Sequence, residues 1–378
     1  MIFPHVHFRG WMWKHKETVA HGLDVAFRAG GDAVIDNPNV PFDKERPALD
    51  SYDLAMIRLD EARALMSPVF YGLLVGVTAK PSQIKDAARA WQDLSPKNAD
   101  IDRVGVVGLK YFAGHSVGNL GIVKETEQEL LFKTLGEIGF PGAMAVHCEK
   151  EAFIFNNLWN PLNPITHCYA RPEKCEIESV RDQIEFAEKY HFLGRLHIYH
   201  VSSPESLDLI DGARSRGKIR ISCGVTPHHL LLYDEMMNQE NGVLLKVNPS
   251  LRSKKSRDKM LQALKQGRID IIEQDHAPHT LAEKTGVAKD AKGNPVYMSG
   301  FPVLPIMPYV LDYLRNEGFP EERIRDLTHR NIEDIFGFKV NEIERTEEER
   351  AQRYDLHKEY EVDVWRDIRG RLIRGEKV

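Results

Sequence analysis

The sequence predicts an α/β fold, a parallel (β/α)8 barrel built as one large domain. Short apolar runs rich in β-branched residues recur eight times, and longer amphipathic segments separate them. Polar residues able to bind metal stand at or near the ends of these runs, where a barrel of this kind collects its active site. The alternative, an open doubly wound sheet, is disfavoured because no glycine-rich phosphate-binding motif follows the first run.

The predicted elements follow one another in regular alternation. The eight strands are predicted at 2–8, 33–37, 69–77, 104–112, 143–148, 196–201, 219–225 and 269–275. Apolar residues spaced by three or four positions predict helices between them, among others at 51–66, 124–138, 177–190, 203–216 and 256–266. We therefore expect a catalytic barrel over residues 1–340.

The remaining residues, 341–378, are expected to form a C-terminal helix and a short tail packed on the barrel. Residues 341–360 are strongly charged, which predicts an exposed helix, and the segments 360–364 and 370–374 are expected to pair as a short hairpin.

Composition excludes several classes of function. The net charge is only −5 over 378 residues, and no run of Lys and Arg suggests binding to a nucleic acid or to a membrane surface. The chain enters its first apolar run at once, without a secretory signal, and its four cysteines have no zinc-finger or disulfide spacing. We expect a cytoplasmic protein with reduced thiols, whose partners are a small-molecule substrate and other copies of itself.

A His-x-His pair, His5 and His7, lies in the first predicted strand. Side chains at positions i and i+2 of a strand point to the same face, so the two imidazoles can bind one ion. Zinc accepts imidazole nitrogen and carboxylate oxygen, and a catalytic zinc keeps a position open for water. Such a pair alone is more often incidental, and the interpretation depends on polar residues at the ends of later strands: Lys110, His147, His200 and Asp275.

Lys110 lies within an apolar strand, where burial of an ammonium is costly and lowers its pKa. A neutral amine can react with carbon dioxide to give a carbamate, an anionic ligand able to bridge two cations. The alternative is that Lys110 extends to solvent or pairs with a carboxylate such as Glu149.

The remaining candidate metal-binding residues stand at or near the ends of later predicted strands. His147 and His200 can hold a second ion, although each alone is also consistent with a buried structural histidine. His197 should point away from His200 and is interpreted as structural. Asp275 is followed by two histidines and a proline, and this carboxylate can both bind metal and take a proton from an attacking hydroxide.

Eight motifs in a fixed order carry a resemblance to a known family: His5-Val-His-Phe-Arg9, Asp36-Asn-Pro-Asn39, Gly108-Leu-Lys-Tyr111, Val146-His-Cys-Glu149, His200-Val-Ser202, Thr226-Pro-His-His-Leu230, Asn248-Pro-Ser-Leu-Arg252 and Asp275-His-Ala-Pro-His-Thr280. From His5 to about Gly337 the chain resembles dihydroorotases, cyclic amidases of the metal-dependent amidohydrolase superfamily, whose fold is a TIM barrel. The Asp275–Thr280 motif is the most discriminating.

The resemblance implies a two-zinc centre. In it His5, His7 and Asp275 would hold one Zn²⁺ and His147 and His200 the other, with carbamylated Lys110 and a hydroxide bridging them. It also implies that Arg9, Asn37 and His279 bind the substrate carboxylate and that Asn248 contacts the amide edge of the ring. A guanidinium matches a carboxylate bidentately, whereas Asn37 before Pro38 is also a common turn former.

The sequence departs from the family in two places. Many dihydroorotases carry a small β-sandwich assembled from both chain ends, but here His5 comes almost at once, so we expect that sandwich to be reduced or absent. The glycine-rich loop 113–121 is expected to be a mobile lid, with His115, Ser116 or Asn119 as undecided substrate contacts. His228 and His229 are interpreted as supporting or structural residues.

The expected function is the reversible cyclisation of N-carbamoyl-L-aspartate to L-dihydroorotate in pyrimidine synthesis. Another cyclic amidase, a hydantoinase or allantoinase, would share the metal ligands without needing a carboxylate clamp. A non-catalytic scaffold for another pyrimidine-pathway enzyme would be consistent with a missing sandwich, but it would have no need of a complete set of metal ligands.

Overall fold

The computed structural model describes residues 1–116 and 120–376 and confirms the barrel. All neighbouring strands are parallel and each pairs with the next one along the chain. The strands are β1 Ile2–Val6, β2 Ala33–Asp36, β3 Phe70–Gly76, β4 Val104–Ala113, β5 Ala143–Cys148, β6 Arg195–Ile198, β7 Arg220–Val225 and β8 Ile271–Ile272.

The backbone of His276, just after β8, joins the last strand to the first. Its N–H donates to the His5 carbonyl at 3.1 Å, and its own carbonyl accepts from the His7 N–H at 2.9 Å. The sheet therefore closes on itself, which rules out the open doubly wound alternative.

Helices alternate with the strands, and several begin at side-chain caps. Thr18 and Ser51, for example, each accept a hydrogen bond from the backbone N–H three residues later. No helix within the described residues has both the length and the apolar character needed to cross a membrane. The helices are α1 Val19–Arg28, α2 Tyr52–Ala64, α3 Pro81–Leu94, α4 Ala99–Asp102, α5 Glu125–Glu137, α6 Thr166–Ala170, α7 Glu173–Lys189, α8 Pro204–Arg216, α9 Pro227–Leu231, α10 Lys254–Lys265, α11 Leu281–Lys284, α12 Met307–Asn316, α13 Glu321–Arg325, α14 Asn331–Phe336, α15 Glu347–Gln352 and α16 Arg366–Ile373.

The apolar core has an inner and an outer layer, as strand alternation requires. In β2, Ala33 and Ile35 belong to the inner cluster, while Val34 between them packs in the outer cluster. Phe336 and Phe338, from α14 and the chain after it, join the inner cluster. The barrel is thus filled by side chains, and its polar groups are left at the carboxyl ends of the strands.

Five strands end one to three residues earlier than the sequence pattern predicts, and β6 and β8 show the largest difference, three residues each, ending at Ile198 and Ile272. His200 and Asp275, just beyond these two ends, have left-handed backbones, with φ of +40° and +49°. Left-handed φ is unusual for residues other than glycine and concentrates at functional sites.

The predicted hairpin at 360–374 is wrong. Arg366–Ile373 of that segment form α16, which begins directly after the buried Trp365 and buries Ile368 three positions further on. The indole Nε1 of Trp365 donates to the Pro302 carbonyl at 2.7 Å, so this tail is packed on the barrel.

Candidate metal centre and active site

A cavity of about 330 Å³ opens at the carboxyl ends of the strands. Every sequence-predicted site residue except Asn37 lines it: His5, His7, Arg9, Lys110, His147, His200, Asn248, Asp275 and His279. The barrel therefore brings together residues that are up to 274 positions apart in the chain, from His5 to His279.

His5, His7 and Asp275 form the first cluster. The Nε2 atoms of His5 and His7 lie 3.2 and 3.0 Å from the same Oδ1 of Asp275. The other ring nitrogen of His7 lies 2.7 Å from Asn39 Oδ1, so Nδ1–H donates there and the lone pair of Nε2 faces Asp275. In this tautomer an imidazole lone pair and a carboxylate oxygen face each other, and these three buried residues fit a metal ion.

The protonation states in this cluster suit a metal. Burial lowers the pKa of both His5 and His7, so both imidazoles are neutral at pH 7. Burial alone would raise the pKa of Asp275, but the adjacent His5 and His7 hold it well below the usual range. Neutral imidazole and ionised carboxylate are the forms that bind metal.

His147 and His200 form a second cluster beside the first. His147 Nδ1 lies 3.0 Å from His200 Nε2, and the rings of His5 and His200 are 5.4 Å apart between centroids. Burial lowers the pKa of His200, and its buried Nδ1 has no hydrogen-bond partner among the described residues. These two imidazoles can supply nitrogen ligands to a second ion.

Lys110 is fully buried in β4 and lines the cavity together with the metal-binding side chains. The register of β4 and β5 sets Phe112 beside His147, and Lys110 is on the same face as Phe112, two residues earlier. The Lys110 ammonium lies 4.0 Å from the Tyr199 ring centroid and has no hydrogen-bond partner among the described residues. Burial lowers its pKa to about 7, which leaves a large neutral fraction able to react with carbon dioxide.

The alternative pairing of Lys110 with Glu149 is wrong. Glu149 Oε2 accepts instead from His147 Nε2 at 3.0 Å and from the Arg171 guanidinium at 2.5 Å. Burial would raise the pKa of Glu149, but Arg171 and His147 hold it well below its ordinary value. The ionised carboxylate fixes the proton of His147 on Nε2, so that the lone pair of Nδ1 faces the centre.

Arg9 and His279 stand side by side at one wall of the cavity. Arg9 Nη2 lies 3.2 Å from His279 Nε2, and Arg9 Nε donates to the Pro278 carbonyl at 3.4 Å. Burial lowers the pKa of Arg9 to about 10, so it stays cationic at neutral pH. This wall can bind a carboxylate.

Asn39, and not Asn37, faces the cavity, which corrects the sequence prediction. Asn37 Nδ2 donates to the Val6 carbonyl at 3.2 Å, so this side chain is buried against β1. The turn at Pro38 brings Asn39 to the lining instead. Asn39, the second asparagine of the Asp36–Asn39 motif, was visible in the sequence but was not predicted as a site residue.

Asn248 presents one end of its amide to the cavity. Its Oδ1 lies 3.0 Å from His167 Nε2 and also accepts from the Ser299 hydroxyl at 3.3 Å. Because burial lowers the pKa of His167 to about 3, that imidazole is neutral and donates through Nε2–H. The NH2 group of Asn248 is then the end available to a ring carbonyl.

The other polar candidates lie behind or beside the cavity. His229 contacts Thr226 Oγ1 at 2.9 Å and the Pro249 carbonyl at 3.2 Å, and His197 contacts Ser222 Oγ at 2.9 Å. His228 is also buried outside the lining.

In the loop after β4, His115 and Ser116 line the cavity, and His115 pairs with Glu151 at 2.7 Å. Asn119 falls outside the residues that the structure describes.

Three further residues were not predicted from the sequence. Glu273 is fully buried, with one oxygen 3.2 Å from His5 Nδ1 and the other accepting from the His200 N–H. Its position two residues before Asp275 in the predicted strand 269–275, which would put both side chains on one face of that strand, was the available signal. Lys16 and Lys246 line the cavity as well, but in the sequence each looks like an ordinary polar-loop lysine.

Comparison with known proteins agrees with this geometry. The chain is 30% identical to a dihydroorotase of Halobacterium salinarum over 342 residues, which cover 90% of this chain and 72% of the relative. It is 31% identical to a dihydroorotase of Methanosarcina mazei, with 90% and 70% covered, and 31% identical to one of Lactiplantibacillus plantarum, of which it spans 61%. No family model matches the sequence.

Solved structures confirm the architecture. A D-hydantoinase (dihydropyrimidinase) of Thermus sp. superposes with a TM-score of 0.69 at 20% identity, covering 90% of this chain and 72% of that one. An L-hydantoinase of Arthrobacter aurescens gives 0.68 at 21%, with 89% and 70% covered. These neighbours establish the barrel fold. The sequence identity over nine tenths of the chain places the protein in the dihydroorotase family.

Proposed function

We propose that this protein is a zinc-dependent dihydroorotase, which interconverts N-carbamoyl-L-aspartate and L-dihydroorotate in pyrimidine synthesis. One observation carries the proposal. A set of metal-binding side chains and an Arg9–His279 wall suited to a carboxylate line the same cavity of about 330 Å³. The curated relatives named dihydroorotase support the same substrate.

The chain offers ligands for two zinc ions. We assign His5, His7 and Asp275 to one ion, and His147 and His200 to the other, with Lys110 as a carbamate between them. When bound, zinc would supply Lewis acidity at the ring carbonyl and make a water molecule more acidic.

Asp275 is the proposed proton carrier. In hydrolysis, oxygen of a water molecule bonds to the ring carbonyl carbon, and the Asp275 carboxylate takes the released proton. As the carbon–nitrogen bond breaks, Asp275 gives that proton to the departing ring nitrogen, so that a carboxylic acid and a carbamoyl NH2 result. The acid then ionises and releases the second proton of the water to solvent. In the synthetic direction the same steps run backward and release water.

Four residues orient the substrate in this proposal. Arg9 and His279 bind the carboxylate that the reaction leaves unchanged, and Asn39, rather than the predicted Asn37, is placed to assist them. Asn248 holds the amide edge of the ring through its NH2 group. A hydantoinase would have no use for a buried arginine at this wall, because its ring carries no carboxylate.

Turnover on four compounds tests the proposal: L-dihydroorotate, N-carbamoyl-L-aspartate, hydantoin and allantoin, each with zinc-loaded protein and with the Asp275→Ala variant. We expect activity on the first two that disappears in the variant. Activity confined to hydantoin or allantoin would replace the substrate, and zinc binding without turnover would favour a scaffold.

The proposal extends to organisation and location. We assign residues 1–340 to the catalytic barrel and 341–378 to an accessory C-terminal segment packed on it, and we propose a cytoplasmic homo-oligomer, with another pyrimidine-pathway enzyme as the partner to test. Four unpaired buried thiols, Cys148, Cys168, Cys175 and Cys223, are consistent with a reducing compartment. Light scattering of the purified protein, alone and mixed with pathway enzymes, tests the assembly.

A further inference from the structure

The buried side chain of Lys16 lines the cavity next to His279, in the carboxylate-binding wall. Its Nζ lies 3.2 Å from His279 Nδ1 and 3.1 Å from Glu283 Oε1, and it sits 4.3 Å from the centroid of the Trp13 ring. Only 1% of the side chain is exposed. A lysine buried to this degree and held by three neighbours has a fixed position.

His279 is therefore placed between two groups that can only donate. Lys16 faces its Nδ1 and Arg9 Nη2 faces its Nε2, each at 3.2 Å. Neither an ammonium nor a guanidinium can accept a hydrogen bond, and a neutral imidazole carries one lone pair and one N–H. Burial lowers the pKa of His279. The nearby Glu283 carboxylate raises that pKa and the charges of Arg9 and Lys16 lower it, so the ring is neutral.

Glu283 does not compete effectively for the Nδ1 of His279. Its Oε2 lies 3.6 Å from that nitrogen, beyond hydrogen-bond distance, and already accepts from the backbone N–H of Thr280 at 3.1 Å. Its Oε1 faces Lys16 and His15. These contacts favour the tautomer in which Nδ1 carries the lone pair and accepts from Lys16, and Nε2 carries the proton.

We infer that Lys16 is a positioning residue that holds His279 as the Nε2–H tautomer, so that His279 and Arg9 together present two N–H donors to the substrate carboxylate. In the other tautomer Nε2 would accept from Arg9, and the two groups would satisfy each other instead of an anion. The inference rests on the proposed function for the identity of the substrate, but the tautomer itself does not depend on it.

Removal of the lysine donor tests the inference. In Lys16→Met the chain length is kept, Nδ1 loses its donor, and the ring is free to donate to Glu283. We expect KM for L-dihydroorotate to rise about 10- to 100-fold, the usual effect of one charge-assisted hydrogen bond, with kcat changed little. Lys16→Arg keeps a donor and should restore most of the loss.

Two controls separate this effect from a general change of charge or structure. Lys14 is exposed on the same loop, so Lys14→Met removes an equal charge and should leave KM unchanged. 5,6-Dihydrouracil has the same ring without the carboxylate, and its turnover should respond equally little to either variant. Thermal melting verifies that each variant is folded.

Nitrogen-15 spectra of labelled histidines give a readout that is independent of turnover. The signal lost in His279→Asn identifies the residue, and we expect Nε2–H in the wild type and a shift toward Nδ1–H in Lys16→Met. An unchanged tautomer, an unchanged KM, or an equal loss on 5,6-dihydrouracil would each overturn the inference. If the wild type does not turn over L-dihydroorotate at all, the proposed function fails, while the spectra still decide the role of Lys16.

Discussion

Asn39 Oδ1 lies 2.7 Å from His7 Nδ1, which links the proposed carboxylate site to the proposed metal site through one side chain. The amide oxygen holds the imidazole proton, so that the opposite ring nitrogen faces Asp275. Asn39 also lines the cavity, and its NH2 group is not used in the contact with His7. Substrate binding and metal binding are thus expected to respond together when this residue is changed.

Replacement of Asn39 by alanine should affect two properties at once. We expect KM for L-dihydroorotate to rise about tenfold through the lost hydrogen bond, and zinc to bind more weakly because His7 loses the partner that orients it. Steady-state kinetics and competition with a chelator measure the two effects. Asn37→Ala is the comparison, and a larger KM effect there than in Asn39→Ala would restore the original assignment of Asn37.

Replacement of Glu149 by glutamine should weaken metal binding while preserving the shape of the side chain. The amide can donate as well as accept, so it no longer forces the His147 proton onto Nε2, and affinity should fall about 10- to 100-fold. Zinc content after dialysis against graded chelator measures the loss. Glu151→Gln, on the neighbouring segment where Glu151 pairs with His115, should keep full zinc content.

Carbamylation of Lys110 can be observed directly. With a pKa of about 7, the amine should react with 13C-labelled bicarbonate and give a carbamate carbonyl signal at neutral pH. Lys110→Arg cannot form the adduct, because a guanidinium stays charged. Absence of the signal in zinc-loaded wild type would remove the carbamate from the proposal.

Glu17 should make stability depend on pH in the acidic range. Burial would raise its pKa, but His276, His21 and Tyr360 lower it to about 2. Because the folded pKa lies below the unfolded value, the carboxylate stabilises the fold above about pH 4.5, and that contribution is lost as the pH falls toward 2.

The full contribution is on the order of 3 kcal/mol, because the pKa of Glu17 falls from 4.5 in the unfolded chain to about 2 in the fold. Urea unfolding at pH 7, 5 and 3 measures it, with Glu17→Gln as the variant. The difference in free energy of unfolding between wild type and variant should shrink from pH 5 to pH 3. A constant difference across the three values would assign the role of Glu17 to packing alone.

The sequence predicted correctly those features of the fold that follow from the spacing of apolar residues. Eight apolar runs predicted eight strands, and the barrel then required Lys110, His147 and Asp275 to meet. Asn39 was missed because a turn at Pro38 decides which asparagine faces the cavity. The spacing of apolar residues in the sequence does not give the direction of the chain after such a turn. The final hairpin was wrong because the alternating residues 360–364 form no strand and residues 366–373 form α16. Contacts with the barrel, such as that of Trp365 with Pro302, are not visible in the local pattern.

At His200 and Asp275 the side chain that the site needs lowers the stability of the fold, because both residues have a left-handed backbone. A residue with a side chain costs about 1 kcal/mol or more there relative to glycine, which adopts such angles freely. Asp275→Gly should therefore melt at a higher temperature than Asp275→Ala although both lack the carboxylate. Selection for thermal stability alone would therefore favour glycine at both positions and would remove the His200 imidazole and the Asp275 carboxylate from the site.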